Sequence, residues 1–109
     1  MLKVFISQPM QDRTSEEIMT ERYNAIEIVK AKYGDEAEII DSYFADFEES
    51  KYKTVPLGYL AKSIELLATA DVAVFCEGWD YARGCRIEYS CASEYGLAVV
   101  LLKEAIEGV

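Results

Sequence analysis

Residues 71–89, Asp71-Val72-Ala73-Val74-Phe75-Cys76-Glu77-Gly78-Trp79-Asp80-Tyr81-Ala82-Arg83-Gly84-Cys85-Arg86-Ile87-Glu88-Tyr89, read as a strand, a loop and the start of a helix. Val72 to Phe75 is a short apolar run of the kind a strand buried on both faces requires. Gly78 and Asp80 mark the loop. The helix that follows has a predicted inward stripe of Gly84, Ile87, Cys91, Ala92 and Tyr95, and it stops at Gly96. Glu88 falls inside that stripe. A carboxylate on an apolar helix face costs stability unless it is paired or used. Two readings stand: a catalytic group, or a core-edge Glu paired with an Arg.

The same alternation extends in both directions. Leu2 to Ile6 reads as a first strand, and Ser7 to Arg13 as a loop. Thr14 or Ser15 begins a helix with Glu16 and Glu17 at the positive end of its dipole. Ile18, Ala25, Ile26, Val29 and Tyr33 form its inner stripe, and Gly34 stops it. Arg22 shares that stripe, either as a stem packed on the core with a snorkelled head, or as a partner for Glu88 or a substrate phosphate. Glu38 to Asp41 is a short second strand. The stretch from Ser42 to Val55 carries Tyr43, Phe44, Phe47 and Tyr52, and suits a binding lid, a subunit contact or a cover for the core edge. Pro56 opens a helix from about Leu57 to Thr69 with Leu57, Leu60, Ala61, Ile64, Leu67 and Ala68 inward. Leu66 points the other way, a hint of an oligomer contact. Asp71 reads as a structural cap before the third strand. Ala98 to Leu102 is a fourth, aliphatic strand, and the tail from Lys103 to Val109 suits a short helix.

Alternating strands and helices imply a parallel sheet with helices on both faces. Right-handed crossovers and a central first strand give the order 2-1-3-4, a three-layer α/β arrangement of flavodoxin- or Rossmann-like type. Ligands bind beyond the carboxyl ends of the strands where such a chain reverses direction. Two loops meet there, Ser7 to Met10 and Cys76 to Gly84, with Glu88 about one turn into the helix beyond.

The chain has 109 residues, a single-domain length, and its 51% apolar content suffices for a core. A net charge of −9 disfavours nucleic-acid polymers and anionic membranes as partners. With no histidine, acid–base chemistry falls to Asp, Glu, Tyr or Cys. The three cysteines, Cys76, Cys85 and Cys91, include no CxxC pair, so neither zinc nor a disulfide framework is expected. Cys85 and Cys91 suit core or near-core positions, and Cys76 is kept as a candidate nucleophile. No signal-peptide pattern precedes the first strand and no apolar run is long enough to span a bilayer. A cytoplasmic protein with reduced thiols is expected.

The absence of GxGxxG, GxxxxGK[ST] and GxSxG patterns disfavours dinucleotide redox, P-loop and serine-hydrolase chemistry. A carboxylate can attack an anomeric carbon and form a glycosyl ester that water or an acceptor base resolves. Trp79 suits stacking on a base or capping the sheet edge, and Arg83 or Arg86 suits a phosphate.

The opening Val4-Phe5-Ile6-Ser7-Gln8-Pro9-Met10 resembles the strand-plus-GPM start of the nucleoside 2-deoxyribosyltransferase-like superfamily. The run Ala70-Asp71-Val72-Ala73-Val74-Phe75, Gly78-Trp79-Asp80, Gly84 with Glu88 four residues on, and Glu94-Tyr95-Gly96 resembles its second half, in a branch of short bacterial and phage proteins. The resemblance covers nearly the whole chain. It implies cleavage or transfer of the N-glycosidic bond of a 2′-deoxynucleoside or its 5′-monophosphate, with Glu88 as nucleophile on C1′. It also implies substrate contacts from Ser7, Gln8, Pro9 and Met10, no cofactor, and a homodimer or larger homo-oligomer. Ser63, eight positions before Asp71, stands where the family usually has Asp, and Ser7-Gln8 stands where small residues are common. Protonation of the leaving group then falls to Asp80, another residue or water. Ser63 and Asp80 are expected beside the sugar, with Gly78, Trp79, Arg83, Gly84 and Arg86 completing the substrate site. The alternative is a non-catalytic small-nucleotide-binding module of the same fold.

Overall fold

The computed structural model describes residues 1–42 and 48–103. Its elements run β1 (Lys3–Ser7), α1 (Ser15–Tyr33), β2 (Glu38–Ile39), a 3₁₀ turn (Glu49–Lys51), α2 (Val55–Leu67), β3 (Val72–Phe75), α3 (Arg83–Glu94) and β4 (Ala98–Leu101). All four strands are parallel and lie in the order β2-β1-β3-β4, as expected from the crossover rule. Val4 pairs with Val72 and Ser7 with Phe75, so the last residues of β1 and β3 lie side by side.

The strand alternation sorts the core into two layers. Val4, Ile6, Val72 and Val74 face Ala25 and Val29 of α1. Phe5, Ala73 and Phe75 face Leu67 of α2 and Ala92 of α3. The sheet is therefore covered on both faces, α1 on one and α2 with α3 on the other. Each large apolar side chain fully buried here stabilises the fold by about 1.5–3 kcal/mol. Among the described residues no helix is long and apolar enough to cross a membrane.

Of the two candidate starts for α1, Thr14 is the N-cap. Its hydroxyl accepts from Glu17 N at 3.1 Å, and the Glu17 carboxylate accepts from Thr14 N at 3.0 Å. Gly34 closes the helix with φ +98°, a conformation that favours glycine. Ile18, Ala25 and Val29 are buried, and Ile26 and Tyr33 pack beside them, as the periodicity predicts. Asp71 caps the sheet at its other end: its carboxylate accepts from Lys3 N at 2.8 Å, and its own N–H donates to Lys3 O.

Three expectations are corrected. β2 ends at Ile39 instead of Asp41, because side chains take over its ladder. Ile40 N still donates to Val4 O, but Ser42 Oγ donates to Ile6 O at 3.2 Å and Arg22 Nη2 to Ile40 O at 3.0 Å. The buried face of α2 is rotated from the expected one. Leu57, Ala61 and Ala68 are exposed, Leu60 and Ile64 are half-buried, and Leu66 packs on the core instead of pointing away. Apolar residues lie on nearly every side of this helix, so its period does not select a face. The face is set by Leu67, with Leu66 and Ile64 beside it, packed on Phe5, Ala73 and Phe75, while Gly58, about half a turn round the helix, lies so close to the Tyr52 ring that an added Cβ would come within 2.7 Å of it. On α3 the buried residues are Cys85, Glu88 and Ala92, while Ile87 and Tyr95 are exposed. The Tyr89 ring stacks on Trp79 and meets Phe75 edge-on, which turns the helix toward Cys85. The tail from residue 104 and the aromatics Tyr43, Phe44 and Phe47 lie outside the described residues.

Thr14→Ala removes one of the two capping-box bonds and is expected to cost about 1 kcal/mol. Thr14→Ser keeps the acceptor and is expected to cost much less. Urea denaturation of the two variants checks this.

Candidate functional site

The chain reversal, where a binding crevice is expected, lies between β1 and β3. α1 leaves the carboxyl end of β1 onto one face of the sheet, and α3 leaves β3 onto the other. Cys76 N donates to Ser7 O at 2.9 Å, extending the β1–β3 ladder to the lip of the crevice. The two loops meet there: the Pro9 ring lies 3.5 Å from where a Cβ on Gly78 would stand, and Gly78 holds φ +89°.

Glu88 is only 7% exposed, and the hydroxyls that act on it come from two other elements. Ser7 Oγ, at the end of β1, donates to Glu88 Oε1 at 2.6 Å. The Ser63 hydroxyl of α2 also favours the charged form of the carboxylate, and the Ser7 hydroxyl favours that of Cys85, one turn earlier on α3. The rotated face of α2 is what brings Ser63 here.

The ion-pair alternative for Glu88 is not realised. Among the described residues the carboxylate makes no salt bridge with Arg22 or Arg86. Arg86 is exposed, its Nη1 3.5 Å from Asp80 O. Arg22 is 5% exposed, neither snorkelled nor aimed at Glu88. It donates to Ile40 O at 3.0 Å, Ser42 Oγ at 3.3 Å and Gln8 Oε1 at 3.4 Å, standing in for the missing end of β2.

Burial pushes the Glu88 carboxyl above the usual glutamate value, and the Ser7 and Ser63 hydroxyls pull it part of the way back. Taking a carboxylate out of water costs several kcal/mol. A hydrogen bond to a charged group returns about 1.5–3 kcal/mol, so the Ser7 bond offsets part of that cost. Burial also pushes the Cys76 thiol up to about 12 and the Cys85 thiol up to about 11. Both stay protonated at neutral pH, which removes Cys76 as a nucleophile.

The loop from Ser7 to Met10 is clamped from below. Gln8 Nε2 donates to Ile18 O at 3.0 Å and Glu21 Oε1 at 3.1 Å. Arg13 Nη1 donates to Pro9 O at 2.7 Å and pairs with Glu21 Oε1 at 2.8 Å, while its Nη2 reaches Glu17 O at 3.3 Å. Both ends of the Gln8 amide are thus engaged within the protein, and Met10 stays exposed. Arg13 and Glu21, which make this clamp, were not singled out from the sequence; neither residue stands in an apolar stripe or a motif that would mark it.

Trp79 takes its capping role with one face, stacked on Tyr89 at a centroid distance of 4.4 Å and 22° between planes. With Gly78, Asp80, Tyr81, Phe75, Leu101 and Lys103 it lines a cavity of about 460 Å³ beyond β3 and β4. Glu88 does not line that cavity, nor the open trough along α1 and Arg13. Arg83 is exposed at the first position of α3. Gly84 leaves open space one turn before Glu88, since a Cβ there would meet nothing within 4 Å. The structure thus brings Ser7, Ser63 and Glu88 together, holds Gln8, Pro9 and Gly78 at the lip, and sets Trp79 and Asp80 in a neighbouring cavity.

No protein-family model matches the chain, and no curated protein matches it.

The raised Glu88 carboxyl has a consequence for stability. Between the ordinary glutamate value of 4.5 and the raised value, the folded chain holds a proton that the unfolded chain has released. Stability is therefore fully present at low pH and falls as pH rises through the raised value. Glu88→Gln carries no such charge. The variant is expected to melt above the wild type at pH 8, with the gap closing as pH falls toward 4.5; thermal melts across that range check the sign.

Proposed function

We propose that the protein cleaves or transfers the N-glycosidic bond of a 2′-deoxynucleoside or its 5′-monophosphate, with Glu88 as the nucleophile. The observation that carries this reading is the buried Glu88 carboxylate, without a counter-cation among the described residues and fixed by Ser7 at 2.6 Å at the chain reversal between β1 and β3. A structural carboxylate in a core is normally paired. One held by hydroxyls alone keeps its charge available for an electron-poor carbon. The quoted motifs support the same assignment.

In the proposed reaction a Glu88 oxygen bonds to C1′ as the C1′–N bond breaks and its electron pair passes to the base. Water or an acceptor base then displaces the glutamyl ester with the carboxylate as leaving group. Ser7 and Ser63 fix the carboxylate rotamer and take up part of its charge. Water or another residue supplies the proton a neutral base needs, since Asp80 lines the neighbouring cavity, which does not include Glu88. The second reading, a nucleotide-binding module without turnover, is favoured by one observation: among the described residues no carboxyl is bonded beside Glu88, where a general acid would stand. Assembly into a homodimer or larger belongs to the proposal, with exposed Leu57, Ile87 and Tyr95 offering apolar surface for it.

Incubation of the protein with 2′-deoxynucleosides and their monophosphates, followed by chromatography of free bases and mass spectrometry of the intact chain, tests this. Base release or a glycosyl adduct is expected in the wild type, falling about a thousand-fold or more in Glu88→Gln. Release should also rise with pH as Glu88 ionises through its raised value. Nucleotide binding that stabilises the fold with no release and no adduct would favour the binding module.

A further inference from the structure

Resting on the glycosyl-transfer reading above, we infer that the leaving group suited to this site is a base that is already a cation: the site fits nucleosides of the N-glycosyl-pyridinium or N7-alkylpurine kind. Three observations point to this class.

The first is the set of groups around the nucleophile. Glu88 is bonded by Ser7 Oγ at 2.6 Å, the Ser63 hydroxyl favours its charged form, and Cys85 completes the cluster with a thiol held at about 11. None of these is an acid matched to neutral pH. The second is where the other carboxyls of the described residues near the crevice have gone. Glu21 is held by Arg13 and Gln8. Asp80 and Glu77 are exposed and line the neighbouring cavity, which does not include Glu88. A neutral purine or pyrimidine departs poorly without a proton on its ring, so this arrangement handicaps such substrates.

The third is charge. Arg13 is paired with Glu21, Arg22 is engaged by Ile40 O, Ser42 and Gln8, and Arg86 lies against Asp80 O. Glu88 thus lies buried without a cation among the described residues, in a chain of net charge −9. A cationic ring supplies the missing countercharge as it binds. The open space at Gly84, one turn before Glu88, lies on the nucleophile's side of α3.

The steps balance without an acid. A Glu88 oxygen forms a bond to C1′, the C1′–N bond breaks, and its electron pair cancels the positive charge on the ring, which leaves as a neutral molecule. Water then bonds to C1′, the ester C–O bond breaks, and Glu88 recovers its pair as carboxylate. The sum consumes one water and releases one proton to solvent.

The test compares the full chain on nicotinamide riboside, its 2′-deoxy analogue and 7-methyl-2′-deoxyguanosine with its action on deoxyadenosine, deoxyguanosine, thymidine and deoxyadenosine monophosphate. Free base is followed by chromatography, and each rate is divided by that compound's spontaneous hydrolysis. Because a positioned general acid contributes about 10²–10⁴-fold, a cationic-base preference of roughly 100-fold or more is expected, lost in Glu88→Gln. Ser63→Asp places a carboxyl beside Glu88, where two such groups share a proton, and is expected to raise neutral-base release and narrow the preference. Glu88-dependent release of neutral bases at equal or greater acceleration would overturn the inference and leave the glycosyl-transfer reading standing. A preference unchanged by Ser63→Asp would also count against it. No Glu88-dependent release from any compound would overturn both.

Discussion

The hydrogen bond from Ser7 Oγ to Glu88 Oε1, 2.6 Å long, ties the end of β1 to the buried face of α3. It also decides how the crevice between β1 and β3 is filled. A carboxylate there is tolerable only because hydroxyls from β1 and α2 reach it. Those hydroxyls are in place because β1 and β3 run in register, Ser7 opposite Phe75, and because α2 turns Ser63 inward. Remove the register or the rotation of α2, and the charge would be buried with fewer partners. The cost would then exceed what the fold of a small domain can absorb.

Around this bond the molecule divides its polar groups cleanly. Arg13, Glu21, Gln8 and Pro9 clamp the loop after β1, and Arg22 with Ser42 completes the β1–β2 edge. Each arginine in these groups answers to the backbone or to another carboxylate, so none reaches Glu88. The site is held on its β1 side by this clamp, and among the described residues no arginine or lysine forms an ion pair with Glu88.

How far the sequence revealed this follows from what kind of signal each residue carries. The strands were legible as apolar runs, and the order 2-1-3-4 followed from handedness. Glu88 stood out because a carboxylate interrupts an apolar stripe. Thr14 was legible as one of two caps, and the geometry of the box selects it. The face of α2 was not legible, since its leucines surround the helix; only the packing of Leu67 and Leu66 on Phe5, Ala73 and Phe75 shows which side is inward. On α3 the stripe was misplaced by part of a turn, because the Trp79–Tyr89 stack, a long-range contact, draws the helix round. The fate of Arg22 was hidden for a similar reason: its acceptors, Ile40 O and Ser42, are far along the chain, and nothing local marks β2 as ending early.

The most direct test of this account is a pH titration of the side-chain carboxyls by NMR, using protein labelled with carbon-13 at the glutamate carboxyl, in wild type and Ser7→Ala. The account predicts one glutamate, assigned by its loss in Glu88→Gln, that titrates above the ordinary value of 4.5 and moves higher still in Ser7→Ala, where a bond to the ionised form is gone. A Glu88 that titrates at the ordinary value, and does not respond to Ser7→Ala, would contradict the claim that a buried, hydroxyl-held carboxylate sits at the centre of this protein.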